Sequence, residues 1–473
     1  MWLFPVVAVG QILVALVYAQ FAAHIPLSGS SYQWASRLAN PKVGWMFGWV
    51  TVCNVGIVAP AVDYVLASQC LMPLFNMAPS ETTARAITVA LLMIQAAIVI
   101  MSTRIVGWTN SLSVGIELAI VVALGVALVI AVVLTGCGST HNLVSQGIAE
   151  GAPDYFALGG GFMAALLMGL STLIGFDAAA NMAEEAKDPH RAVPRAIVGS
   201  VVVAAILGTL FCIALTVAIT DMDRVSTSAS PVAEIMHEQF GPALARPSLV
   251  VIAVAFFGAA LVSMAATSRI VFAMSRDNRF PAHRLFKRVN PRTRTPIPAT
   301  LLPVGLGIAL MAGLSDGVMM QLILAMAIVT NVAYAMTTIL YLAVRNKFDH
   351  RKGAFNLGCF DVAVAVAALA WVLVAVFVSI VTSPSIVPEL IVAGMLLTGG
   401  VYLVYLMKSQ RQVLGREPRE ADLTFDAEGE PVSALATVER QPQETSVLTL
   451  RARSAAAFVA CQCAASMAGA HHR

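Results

Sequence analysis

Eleven long apolar runs divide the first 406 residues of this chain, and they fix its fold class. They lie near 2–23, 44–74, 86–103, 109–134, 157–182, 196–220, 247–274, 298–314, 318–343, 361–382 and 387–406. A helix that crosses a bilayer needs about 20 mostly apolar residues, and a barrel strand about 10 of alternating character. The runs are too long and too continuous for strands. Helices also satisfy their own backbone polar groups, which lipid cannot do. The run 44–74 is long enough to imply tilt. Hydrophobic residues make up 58% of the chain and charged residues only 12%, against roughly 25% charged in a soluble domain. That balance excludes a soluble enzyme, a nucleic-acid binder and a disordered scaffold. It leaves an all-α polytopic membrane protein.

The net charge of +3 says little as a sum, but the placement of the charges is informative. Alternate loops collect Lys and Arg: Arg37 and Lys42, Arg104, Lys187 with Arg191 and Arg195, seven basic residues from Arg276 to Arg294, and four from Arg345 to Lys352. The opposite loops hold only Arg85, Arg224 and Arg246. Excess basic charge marks the cytoplasmic side, so the tail that opens with Lys408 and Arg411 is expected in the cytoplasm. With eleven spans, Met1 would then lie outside, yet Trp2-Leu3-Phe4 follows it at once. The expectation is that one more helix belongs upstream. Residues 1–406 read as the membrane domain. Residues 407–473 read as a cytoplasmic tail, polar over 411–453 and expected to be disordered.

Cys53, Cys70, Cys137, Cys212 and Cys359 sit singly in apolar runs or short loops and read as small core residues. Cys461 and Cys463 lack a second ligand pair at zinc spacing, so no metal or other cofactor is expected. The sequence has no G-x-x-x-x-G-K-[ST] loop, which argues against an ATP-driven pump in this chain.

Charged residues at bilayer depth are costly and call for an explanation. Asp63 lies in the second run, Glu117 in the fourth, Asp177 in the fifth, and Glu184 and Glu185 at the end of the fifth. Glu184 and Glu185 precede Lys187 and Arg191 and read as salt-bridge or gating partners of basic loop residues. Glu117 has no local partner. It is either a satisfied structural carboxylate or a proton carrier, since burial favours the protonated form. Around Asp177 the chain reads Met168-Gly169-Leu170-Ser171-Thr172-Leu173-Ile174-Gly175-Phe176-Asp177. Small and polar residues interrupt an apolar run here. One reading is a glycine used for close helix packing. The other is a helix broken in mid-membrane, whose freed backbone groups would line a binding cavity.

The stretch Gly175-Phe176-Asp177, then Ala183-Glu184-Glu185-Ala186-Lys187, Pro189, and Pro194-Arg195-Ala196-Ile197 resembles a motif of the amino acid–polyamine–organocation superfamily of permeases. Three further stretches agree. Ala19-Gln20 followed by Pro26-Leu27-Ser28-Gly29-Ser30-Ser31-Tyr32-Gln33-Trp34 resembles the end of the family's second helix, with Gln20 in place of the usual Glu. Ser268-Arg269 and Ser275-Arg276-Asp277-Asn278-Arg279-Phe280-Pro281 resemble the end of its eighth, and Val289-Asn290-Pro291 through Pro296 continues the match. The resemblance runs from about residue 2 to about 406. It leans toward the branch that carries γ-aminobutyrate, choline, polyamines and amino acids.

The resemblance implies a five-plus-five inverted-repeat fold of twelve helices, of which the first, with its glycine-rich substrate-binding turn, is not in this sequence. It implies a secondary active transporter, not an enzyme, in the plasma or inner membrane, that moves amino acids or related amines by alternating access with no cofactor. A proton is the implied coupling ion. The family break falls on Thr172, Leu173, Ile174, Gly175 and Phe176, whose backbone would meet the substrate amine, with Asp177 holding the break in shape. Some proton-coupled members carry a lysine near Glu117; this chain has none there, so Glu117 is the candidate carrier. Ser263 and Thr267 would offer oxygens to sodium, and Asn331 would face the site. The alternative is a transport-dead relative or a membrane sensor.

Overall fold

The computed structural model describes residues 2–409 apart from Ser28, Ser102, Cys137, 146–153, Met182, Glu184, Glu185, Lys187, 229–230, Arg292, Arg294, 315–316, 349–354 and Pro384. The tail with Cys461 and Cys463 lies outside the described residues, as do Glu184, Glu185 and Lys187.

The chain runs as α1 (Leu3–His24), a short α2 (Ser30–Leu38) and α3 (Pro41–Val65), which passes through a π turn (Leu66–Leu71) into α4 (Met72–Leu74). α5 (Glu81–Met101) and α6 (Thr103–Thr135) follow, then α7 (Gly161–Thr172) and α8 (Ala178–Asn181). α9 (Pro189–Ala218), α10 (Met222–Thr227) and α11 (Pro231–Arg276) come next. α12 (His283–Phe286), α13 (Ile297–Gly313), α14 (Val318–Val344), α15 (Asp361–Val381) and α16 (Val387–Ser409) complete it. Among the described residues there is no strand.

Local chemistry sets several boundaries. The Asn40 side chain accepts from the backbone N–H of Lys42 and Val43, each at 3.0 Å, and Pro41 occupies the first helical position. This is an N-cap followed by a residue that needs no donor. Pro60 lies inside α3, and the π turn follows it by less than two turns.

Nine helices among the described residues are long and apolar enough to cross a membrane. The other two apolar runs form shorter helices, Gly161–Thr172 and Ile297–Gly313. The first is short because the chain unwinds after Thr172. The second is bounded by Pro296 at its start and by extended backbone at Leu314. The eleven runs of the sequence therefore each coincide with a helix, but two fall below full spanning length.

α1 packs on α9, α15, α7 and α14, while α3 packs on α11, α2, α14, α13, α5 and α16. α14 touches both groups. Its Thr330 hydroxyl donates to Asn54 Oδ1 of α3 at 2.6 Å, and its Thr337 hydroxyl lies 2.9 Å from that of Tyr18 on α1. Small residues let helices approach closely, as they do wherever lipid supplies no hydrophobic drive. A side chain at Gly10 of α1 would fall inside the Trp371 ring of α15. α6 turns Val122, Val126, Val129, Ile130, Val133 and Leu134 outward, as a lipid-facing helix does. Cys53 and Cys70 are buried as expected, but Cys359 is exposed in the turn before α15 and is not a core residue.

Candidate functional site: the broken helix between α7 and α8

α7 stops at Thr172, and regular helix resumes at Ala178. Of the two readings open for this stretch, the structure has the break. Gly175 adopts φ +87, a left-handed conformation that costs glycine nothing and other residues about 1–2 kcal/mol. Open space surrounds its missing Cβ, so backbone geometry and not crowding calls for glycine here. Thr172 and Gly175 are exposed, Ile174 is half-buried, and Leu173, Phe176 and Asp177 are buried. Among the described residues the carbonyls of Thr172, Leu173 and Ile174 accept no hydrogen bond. Thr172 Oγ1 instead donates back to Met168 O at 2.7 Å.

The break is held from α14. Gly175 N–H donates to Tyr334 Oη at 3.1 Å, and Tyr334 Oη donates to Asp177 Oδ1 at 3.1 Å. One hydroxyl thus ties both ends of the Gly-Phe-Asp turn. The ring of Phe176 between them stacks on Tyr334 with centroids 4.9 Å apart and meets Tyr18 edge-on at 5.8 Å. Tyr18 and Trp34 extend this aromatic wall, with centroids 5.7 Å apart. Asp177 is therefore engaged with Tyr334, as a group that shapes the break.

The other expected residues are placed differently. Asn331 is fully buried on α14, but its amide donates to Ala327 O of its own helix at 2.8 Å and its Oδ1 has no partner among the described residues. Tyr334, three residues on, is the α14 side chain that reaches the break. Glu117 lies on an exposed face of α6 with no hydrogen-bond or ion-pair partner among the described residues. Arg191 pairs with Asp188 at 4.0 Å, and both side chains are largely exposed. Ser263 and Thr267 share one face of α11, where Thr267 Oγ1 donates to Ser263 O at 2.8 Å. Gln20, at the family's usual Glu position, donates to Tyr341 Oη at 3.3 Å.

Sequence reading missed Tyr18 and Tyr334. Each is a tyrosine within an apolar run, a residue whose hydroxyl needs a partner once buried. That need was the available signal, but it does not say which partner.

The arrangement offers free backbone carbonyls, an aromatic wall and a carboxyl held by a tyrosine. It suits reversible binding of a small cationic or zwitterionic molecule and supplies no nucleophile–base pair. Comparison with known proteins agrees. The family described as amino acid permease matches residues 1–401. The amino-acid permease BAT1 of Arabidopsis thaliana is 26% identical, over 76% of this chain and 74% of its own length. Its homolog in Oryza sativa subsp. japonica is 27% identical, over 83% and 80%. The low-affinity putrescine importer PlaP of Escherichia coli K12 is 27% identical, over 71% and 70%. This multi-pass membrane chain belongs to the amino acid permease family of the amino acid–polyamine–organocation superfamily, a family of transport proteins and not of enzymes.

Proposed function

We propose that the chain is a secondary active transporter of amino acids or related amines such as γ-aminobutyrate, choline or polyamines. The observation that carries this reading is the unwound segment at 173–177, with carbonyls free to meet an ammonium group and Phe176 beside them. Broken helices place such groups at the bilayer midplane in many secondary transporters. The identity to a putrescine importer supports amines within the substrate range. Transport proceeds by alternating access, one bundle rocking against the other around the break. The protein sits in the plasma or inner membrane with its C-terminus in the cytoplasm, on the argument of the basic loops. Thr172, Leu173, Ile174, Gly175 and Phe176 contact the substrate, with Asn331 behind them and Asp177 in support. Arg191, with Glu184, Glu185 and Lys187, gates the adjoining end.

A proton gradient is the driving force in this reading, and Glu117 is the carrier the sequence suggests. Purified protein in liposomes, loaded with γ-aminobutyrate or putrescine, should exchange it for labelled substrate outside. Glu117→Gln should abolish accumulation driven by a pH gradient. Absence of exchange by correctly inserted wild-type protein would remove the transporter reading and leave the transport-dead relative or sensor.

A further inference from the structure

α3 and α5 meet across a polar pair that the transport reading leaves unused. Asp63 and Gln95 are both 0% exposed. Gln95 Nε2 donates to Asp63 Oδ1 at 2.7 Å. The second carboxyl oxygen, Asp63 Oδ2, and the amide oxygen, Gln95 Oε1, are buried with no hydrogen-bond partner among the described residues. The surroundings are apolar: Ala59, Leu92 and Ala96 on the same two helices cluster with Leu261 and Met264 of α11. Two acceptors without a donor in such a seam are costly.

One proton answers both acceptors. Placed on Oδ2, it turns the carboxyl into a donor for Oε1, while Nε2 continues to donate to Oδ1. Acid and amide then share a ring of two hydrogen bonds, and both orphaned oxygens are engaged. A metal cation does not fit as well, since a hard cation takes about six oxygens and the seam offers these two.

No other charge explains the carboxyl. α5 carries Glu81 and Arg85, paired with each other at 3.2 Å. α11 carries Glu234, His237, Glu238, Arg246, Arg269 and Arg276, α2 carries Arg37, and α16 carries Glu389 and Lys408. α13 and α14 carry no charged residue, though α14 has Tyr334 and Tyr341. The π turn adds Cys70, and α3 itself has Lys42, Cys53 and Tyr64. Among the described residues the Gln95 amide is the one polar group within hydrogen-bond distance of Asp63. One turn along α5 from Gln95, Val99 lines a cavity of about 40 Å³ with Val106, Ala265, Ser268, Arg269, Thr295 and Pro296, room for roughly one water.

We propose that Asp63 and Gln95 form a proton-binding site, filled in this conformation and emptied in another state of the protein. Its use in coupling rests on the transporter reading above; the binding of the proton does not. The test is infrared spectroscopy on the full chain in lipid nanodiscs. The expected result is a carboxylic-acid C=O band that is lost in Asp63→Asn, kept in Glu117→Gln, and titrates away at alkaline pH. A wild-type protein without such a band, or carboxylic-acid absorption that Asp63→Asn leaves unchanged, overturns the proposal. So does a band that does not titrate before the protein unfolds. Asparagine reproduces the proton-bound pairing, so Asp63→Asn should melt within a few degrees of wild type. In liposomes, uptake of putrescine by wild type should rise several-fold on imposing a pH gradient, and uptake by Asp63→Asn should not respond. An unchanged gradient response in the variant overturns the coupling role. If wild type transports nothing, the transporter reading fails while the infrared result still decides the site.

Discussion

Replacing Tyr334 by Phe removes a single oxygen from the break and leaves its packing in place. The phenyl ring still stacks on Phe176 and still meets Tyr18, whose centroid is 5.5 Å away. Two hydrogen bonds are lost, from Gly175 N–H and to Asp177 Oδ1, both of 3.1 Å. Gly175 is exposed, so its N–H finds water, and that loss costs about 0.5–1 kcal/mol. Asp177 is buried, and a buried acceptor stripped of its donor costs about 1–3 kcal/mol. The sum is about 1.5–4 kcal/mol against the broken geometry. At about 1.4 kcal/mol per decade, that is roughly ten- to several-hundred-fold in an equilibrium constant. The loss should appear as weaker binding of γ-aminobutyrate or putrescine to purified protein, with membrane abundance close to wild type. Asp177→Asn is the matched control: its amide oxygen still accepts from Tyr334, so it should lose much less. Binding by Tyr334→Phe within threefold of wild type would refute the idea that this hydroxyl holds the break.

Two further substitutions separate backbone from packing. Gly175→Ala meets no neighbouring atom, so its penalty is the left-handed backbone alone, about 1–2 kcal/mol; uptake should fall with abundance preserved, and normal uptake would show that the turn tolerates a Cβ. Gly10→Ala drives a methyl into Trp371 and should destabilise the fold by about 1–3 kcal/mol of overpacking, read as a lower melting temperature. Adding Trp371→Leu should restore most of that loss, and no rescue would mean the two helices do not meet there.

The apolar runs made the helices legible because a bilayer imposes one length and one composition on each. The break was legible for a related reason: Gly175, Ser171 and Thr172 are poor choices for a lipid-facing helix, and Asp177 is an expensive one. What stayed hidden were the partners. Tyr334 lies 159 residues from Gly175, and no periodicity links them. Asp63 stood out as a lone carboxyl, but no spacing in the sequence links it to Gln95, 32 residues on. Asn331 was expected at the site from the resemblance; its amide bonds within α14, while Tyr334, three residues on and on the same side of the helix, carries the hydroxyl bonded to the break. The short α13 was legible, since its apolar run, 298–314, is no longer than the helix Ile297–Gly313.

α14 joins the break to the helix that carries Asp63, and this gives the arrangement a mechanical consequence. Tyr334 holds the Gly-Phe-Asp turn on one face, and Thr330, one turn earlier, donates to Asn54 of α3 at 2.6 Å. Both members of that second pair are buried. Thr330→Val keeps the shape and leaves Asn54 Oδ1 without its donor, at a cost of about 1–3 kcal/mol. Thr330 makes no hydrogen bond to the break, so a purely local role would leave substrate binding unchanged. If α14 transmits strain between the two, Thr330→Val should weaken binding by itself. Its effect should also fail to add to that of Tyr334→Phe, because both free the same helix. Residues coupled in this way show interaction energies of about 0.5–3 kcal/mol in a double-mutant cycle. A cycle measured by substrate binding that closes to within about 0.5 kcal/mol would mean that α14 is a passive wall, and that the two polar seams it borders act independently.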